Sequence, residues 1–234
     1  MPEHLRRAIE KLKKTILSLS AVVEESVQKA VRSISEMDSR LAEEVVRDDP
    51  RIDQMEVEVE EECLKILALH QPVAVDLRFI IAVLKINNDL ERIGDLAVNI
   101  AEQAAFLATQ ERVDIPFDFS GMEEKARGML KKSLDALVNR DSGLARGVCA
   151  ADDEVDAINR EMYGQVQEGI RKQPERTGCL IRLLEVSRNL ERIADHATNI
   201  AEDVVYMSDG EIIRHRAEGF RSEPSPRPAD EPPT

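Results

Sequence analysis

Apolar residues recur along the first thirty-odd positions at spacings of three and four. Leu5, Ile9, Leu12, Ile16, Leu19, Val23, Val27, Ala30 and Ile34 form the one-sided stripe of an amphipathic helix. The pattern predicts one long helix over residues 3 to about 36. Asp38-Ser39 reads as the next helix start, and Asp49-Pro50 as another, with Pro at the first helical position. An acidic helix is expected from Pro50 to about Leu69, broken by His70-Gln71-Pro72. Asp76 is then placed to cap a third long helix reaching about Gln110. A linker with Asp114, Pro116 and Gly121 follows.

Beyond that linker the pattern restarts. Asp38-Ser39-x-Leu41-Ala42-x-x-Val45 returns as Asp141-Ser142-x-Leu144-Ala145-x-x-Val148, and Asp49 and Asp53 return as Asp152 and Asp156, all at an offset of 103. Residues 88–102 then align with 188–202 at an offset of 100, with ten of fifteen positions identical. The offset falls by three, which places a loss of about three residues between the second and third helices of the second copy. The expected fold is all-α: two tandem three-helix bundles, about 1–112 and 117–216, related by pseudo-twofold symmetry. Whether their cores fuse is not readable at this level. The final fifteen residues hold five of the ten prolines, so 217–234 is expected to be a disordered tail.

Composition agrees with helices. Aromatic residues make up 3% of the chain and Trp is absent, while 33% is charged. The formal net charge of −14 argues against nucleic acid, whose binders present basic stripes to phosphates. The longest apolar run, Phe79 to Leu84, is far too short to span a bilayer, so direct membrane insertion is not expected. Cys63, Cys149 and Cys179 are widely spaced, without a zinc pattern, and are consistent with a reducing cytoplasm.

The repeated segment sorts into two faces on a helix. Leu90, Ile93, Ala97, Ile100 and Ala104 form an apolar stripe, as do Leu190, Ile193, Ala197 and Ile200. Glu91, Asp95, Asn99 and Glu102 fall within roughly 80° on the other side, and Glu191, Asp195, Asn199 and Glu202 repeat them. A solvated face is one explanation. Carboxylates four residues apart nevertheless repel by a few tenths of a kcal/mol, and both copies keep them at identical positions. A bound cation would turn that repulsion into attraction, and oxygen donors of this kind suit Mg²⁺, Mn²⁺, Fe or Ca²⁺. His196 has Leu96 as its counterpart, so it reads as incidental at the stripe's edge. No Gly-x-Ser-x-Gly or Gly-rich phosphate loop is present to support nucleophilic or phosphoryl-transfer catalysis.

These residues resemble the PhoU family of bacterial phosphate-uptake regulators. The resemblance runs to about residue 216 and rests on Gln71-Pro72-Val73-Ala74-x-Asp76-Leu77-Arg78, on Asn88 to Glu102, and on Leu190 to Glu202. It implies metal clusters held by Glu91 and Asp95 and by Glu191 and Asp195, with Asn99, Glu102, Asn199 and Glu202 as candidate outer ligands. The metal would be Fe, Zn, Mg or Mn. It further implies a non-enzymatic, cytoplasmic homodimer that represses the phosphate-starvation response. Its partners would be the ATP-binding subunit of a phosphate ABC transporter and a phosphate-sensing histidine kinase. Arg176-Thr177-Gly178 replaces the Asp76 region in the second copy, so roles of Asp76 and Arg78 need not be duplicated. A metal-dependent phosphohydrolase and a plain helical scaffold without metal are the competing readings.

Overall fold

A computed structural model describes residues 3–111, 117 and 119–213. Its elements are α1 (Glu3–Glu36), α2 (Ser39–His70), α3 (Ala74–Leu107), α4 (Phe119–Asn139), α5 (Ser142–Lys172), a single 3-10 turn (Pro174–Arg176) and α6 (Thr177–Asp209). No strand occurs among the described residues. The expected tail, most of the linker and His215 lie outside them.

The first three helices pack on one another, and so do the last three. All nine stripe residues of α1 are buried, and each fully covered Leu, Ile or Val contributes about 1.5–3 kcal/mol. The two bundles also meet: α3 packs on α6 and α1 on α4. One contiguous core of buried residues therefore runs from Leu5 to Ile213, so the cores do fuse. The margin of the α3–α6 contact carries polar pairs, Lys85 with Asp203, Asp89 with His196 and Arg182 with Gln103.

Helix boundaries follow the repeat. Asp38 caps α2 by accepting from Arg40 and Leu41 N–H at 2.9 and 3.2 Å, and Asp141 caps α5 by accepting from Leu144 N–H at 2.9 Å. The residue before each cap, Met37 and Arg140, is left-handed with φ of 54°. That conformation lets Asp38 N–H reach back to the Ser33 carbonyl, and Asp141 N–H to that of Ala136, closing the preceding helix.

Three expectations are corrected. Asp49-Pro50 does not start a helix, because α2 runs through Pro50. The ring removes one backbone donor, but Pro50 is exposed and burial of Ala42, Val45, Ile52 and Val59 on both sides holds the helix together. Asp76 does not cap α3. Val73 occupies that position without a side-chain bond, and Asp76 sits in the first turn, where its charge complements the helix dipole. Finally, the three-residue loss is not in the connector. α3 places seventeen residues before Glu91 and α6 only fourteen before Glu191, so nearly one turn is missing from the start of α6.

Packing between the second and third helices differs by a compensating pair. A Cβ added at Gly94 would lie 3.1–3.2 Å from Ile52, whereas the second copy has Ala194 and Val155 at the matching positions. Gly→Ala in a helix interior ordinarily gains about 1 kcal/mol. In the parent background Gly94→Ala is expected to gain less than that. In an Ile52→Val background it should recover the difference, giving a coupling of at least about 0.5 kcal/mol by denaturant unfolding. Strict additivity would refute this packing account.

Candidate metal centres

The first copy's acidic motif sits on α3 against α2. Glu91 is partly covered and Asp95 exposed, so the stripe is a groove edge rather than an open face. The facing turns of α2 carry Asp49, Asp53 and Glu56, spaced four and three apart and so on one side of the helix. Burial first, then Asp95, Asp53 and Glu56, push the Glu91 pKa above the usual carboxylate range, while Arg92 draws it down. Asp49 is raised by burial, Asp53 and Asp95. Asn87 fixes Glu56, donating at 2.9 Å to both its carbonyl oxygen and its Oε1.

The second copy repeats this seam on α5 and α6. Asp152 is pushed up to about 6 by burial, Asp195 and Asp156. Glu191 is raised by burial, Asp195 and Asp156, against Arg188. Asp195 is raised by burial and Asp156, with His196 and Arg192 opposing. One position differs: Asn159 stands where the first copy has Glu56, and it accepts from Ser187 Oγ at 2.8 Å. The first seam thus has one carboxylate more than the second.

Asp49, Asp53, Glu56, Asp152 and Asp156 were not read as site residues from sequence. The signal was present in the repetition of Asp49 and Asp53 as Asp152 and Asp156. What the sequence lacked was the knowledge that these turns face the acidic motif across a helix pair.

The other candidate ligands lie elsewhere. Asn99 lines a cleft between α3 and α6 beside Arg188 and Arg192. Asn199 and Glu202 line a second such cleft beside Lys85 and Asp89, and Glu102 is exposed. His196 is not at an exposed edge: it is buried, and its Nδ1 lies 2.8 Å from Asp89 Oδ1, joining α6 to α3.

The donor set fits a hard cation. Burial first and then like charge raise the pKa of Asp49, Glu91, Asp152, Glu191 and Asp195 within the seams, and in the second Asp152 Oδ1 is buried, with the Thr198 hydroxyl beside that carboxyl. Such an atom is stabilised by a cation. Among the described residues no three of these groups already converge as one coordination sphere. Thiolate chemistry is disfavoured, since burial pushes Cys63 up to about 12 and Cys149 up to about 11.

Comparison with known proteins gives a consistent result. The PhoU domain matches residues 16–104 and again 119–204. The chain is 36% identical to a phosphate-specific transport system accessory protein PhoU homolog of Aquifex aeolicus, over 91% of this chain and 96% of that one. It is 32% identical to homolog 1 of Thermotoga maritima, over 94% and 95%. The crystal structure of PhoU from Pseudomonas aeruginosa superposes with a TM-score of 0.83 at 34% identity, covering 88% of this chain and 99% of that one. That of the phosphate transport system regulatory protein PhoU from Streptococcus pneumoniae gives 0.78 at 28%, covering 89% and 98%.

The raised Asp152 pKa has a definite sign. A carboxyl whose folded pKa lies above its unfolded value favours folding while protonated, and that contribution is lost as pH rises from about 4 through about 6. In chelator, the stability gained by Asp152→Asn should therefore grow by on the order of 2 kcal/mol between pH 4 and 7, after discounting for partial exposure. A difference that stays constant with pH in equilibrium unfolding would rule out this electrostatic account.

Proposed function

The chain belongs to the PhoU family, and from that premise we propose that it is a non-enzymatic regulator of phosphate homeostasis whose two acidic seams hold metal ions. Its relatives bear names that place them as accessory proteins of the phosphate-specific transport system. The observation that carries the metal reading is the paired seam. Carboxylates of α2 face those of α3, those of α5 face those of α6, and burial, with like charge across the seam, raises the pKa of Asp49, Glu91, Asp152 and Glu191.

Asp49, Asp53, Glu56, Glu91 and Asp95 would hold the ion or ions of the first seam, and Asp152, Asp156, Glu191 and Asp195 those of the second. A divalent or ferric cation supplies the positive charge that the seams lack, tying the second helix of each bundle to the third. Fe, Mn, Mg and Zn remain the metals in view, the first three favoured by an oxygen-only donor set. Asn99, Glu102, Asn199 and Glu202 lie outside these two donor sets.

In this reading the protein acts through contacts. It couples the ATP-binding subunit of the phosphate ABC transporter to the phosphate-sensing histidine kinase, represses the starvation response in high phosphate, and works in the cytoplasm as a homodimer. The family resemblance supports these assignments. No helix among the described residues is long and apolar enough to cross a membrane.

Two measurements check the proposal. Elemental analysis of purified protein should find at least one bound metal ion per seam, with Glu91→Ala and Asp95→Ala together emptying the first seam and sparing the second. Metal-free protein after loading with each candidate ion would defeat the metal reading. Deleting the gene should make phosphate-scavenging enzymes constitutive in high phosphate, and normal repression in the deletion strain would count against the regulatory reading.

A further inference from the structure

The junction of α3 and α6 leaves two clefts, one on each side of the pseudo-twofold, and their charges have diverged. In the first, Lys85 pairs with the buried Asp203 at 3.1 Å, and Asp89 pairs with His196 at 2.8 Å. Its lining also includes Glu202. Carboxylates outnumber the single lysine, and three of these residues are tied to a partner across the junction.

The second cleft, about 230 Å³, is lined by Asn99, Gln103, Glu185, Arg188, Asn189 and Arg192. Each occupies the repeat position of a residue in or beside the first cleft, and at three positions the exchange runs the same way. Asp203 becomes Gln103, Asp89 becomes Asn189, and Asn88 becomes Arg188. Carboxylates are replaced by amides and a cation is added. Glu185, in the place of Lys85, is the one carboxylate against two guanidinium groups. The cleft is a cationic spot on a chain of net charge −14.

Its donors are also uncommitted. Gln103 Oε1 accepts from Arg182 Nη1 at 2.6 Å, which leaves its NH₂ as the free end of the amide. Arg182 is in turn seated on the Phe106 ring, 3.9 Å from the centroid. Arg188, Arg192, Asn99 and Asn189 have no hydrogen bond or ion pair among the described residues. The two arginines act only at longer range, Arg188 on Glu191 and Arg192 on Asp195. Four residues apart, they project from one side of α6 with Cβ atoms roughly 6 Å apart.

Two planar guanidinium forks and three amide NH₂ groups around a small space match an oxyanion, since Arg binds phosphate through paired N–H···O bonds. The volume lies below the range of about 300–1,000 Å³ usual for drug-sized ligands. It admits a phosphate group and leaves the rest of any larger ligand outside. We infer that this cleft binds a phosphoryl oxyanion, either inorganic phosphate or a phosphate group of a nucleotide. Bound there, the anion joins donors of α3 (Asn99, Gln103) to donors of α6 (Arg188, Asn189, Arg192), and so ties one bundle to the other. The inference does not require metal in the acidic seams.

The test uses the full chain stripped with chelator, titrated calorimetrically with inorganic phosphate and separately with adenosine triphosphate. Saturable binding of one equivalent is expected in at least one arm. Arg188→Gln, an exchange on an exposed helix face, should weaken it on the order of tenfold or more, as expected for a charged hydrogen bond. Lys65→Gln, removing an exposed cation of α2, should leave it unchanged. Tighter binding of phosphate identifies the free anion as the ligand, and tighter binding of the triphosphate identifies a nucleotide. No binding in either arm, or equal binding by the Arg188→Gln protein with its fold verified by circular dichroism, would overturn the assignment. Chelated protein contains no loaded seam, so failure here is separate from failure of the metal reading.

Discussion

The packing of α3 against α6 is the constraint on which the rest of the molecule depends. Each of these helices is already the inner member of its own three-helix bundle, so meeting each other leaves them apolar over much of their circumference. The contact merges two small cores into one, which raises the buried fraction beyond what a hundred-residue bundle achieves alone. It also fixes the polar groups at its margins, where Lys85 meets Asp203, Asp89 meets His196 and Arg182 meets Gln103.

With their inner faces committed to that contact, α3 and α6 can turn their acidic motifs only toward α2 and α5. The acidic turns therefore lie over helix pairs and not on an isolated surface. Burial becomes the largest cause of the raised pKa values, and like charge on the facing helix adds to it. The fold tolerates this because the apolar stripes one turn away are fully covered, at about 1.5–3 kcal/mol per large side chain. Repulsion among a few half-exposed carboxylates is smaller than that sum. A stable apoprotein with unfavourable seams is thus compatible with seams whose use is to be filled.

Much of this was legible in the chain. The period of α1 gave its span and nine of its twelve buried positions, because an exposed helix face and a core face differ in polarity at each turn; Ser20, Val31 and Ser33 are buried beside that stripe. The repeat gave the two bundles and the caps Asp38 and Asp141. The failures share a physical cause. Pro50 and Asp76 carry strong local signals that tertiary packing overrode, the first by burying α2 on either side of it. The α2 and α5 carboxylates, and the seating of His196, depend on which helices touch, and periodicity within one helix holds no information about its neighbour. The same limit applied to Asn99 and Asn199, which share the acidic stripe in projection yet line the α3–α6 clefts.

Divergence between the copies is as informative as their identity. Residues held in common, Glu91 with Glu191 and Asp95 with Asp195, sit where each bundle's own helices meet. Residues that differ, Asp89 and Asn189, Leu96 and His196, Asp203 and Gln103, cluster where the two bundles meet. A pseudo-twofold junction needs only complementary shape to pack, so its polar margin is free to become acidic and paired on one side and cationic and unpaired on the other. Within the bundles the seams keep four carboxylates in common and differ at Glu56 and Asn159, whereas at the junction several polar positions differ together, and there the symmetric fold has two different ends.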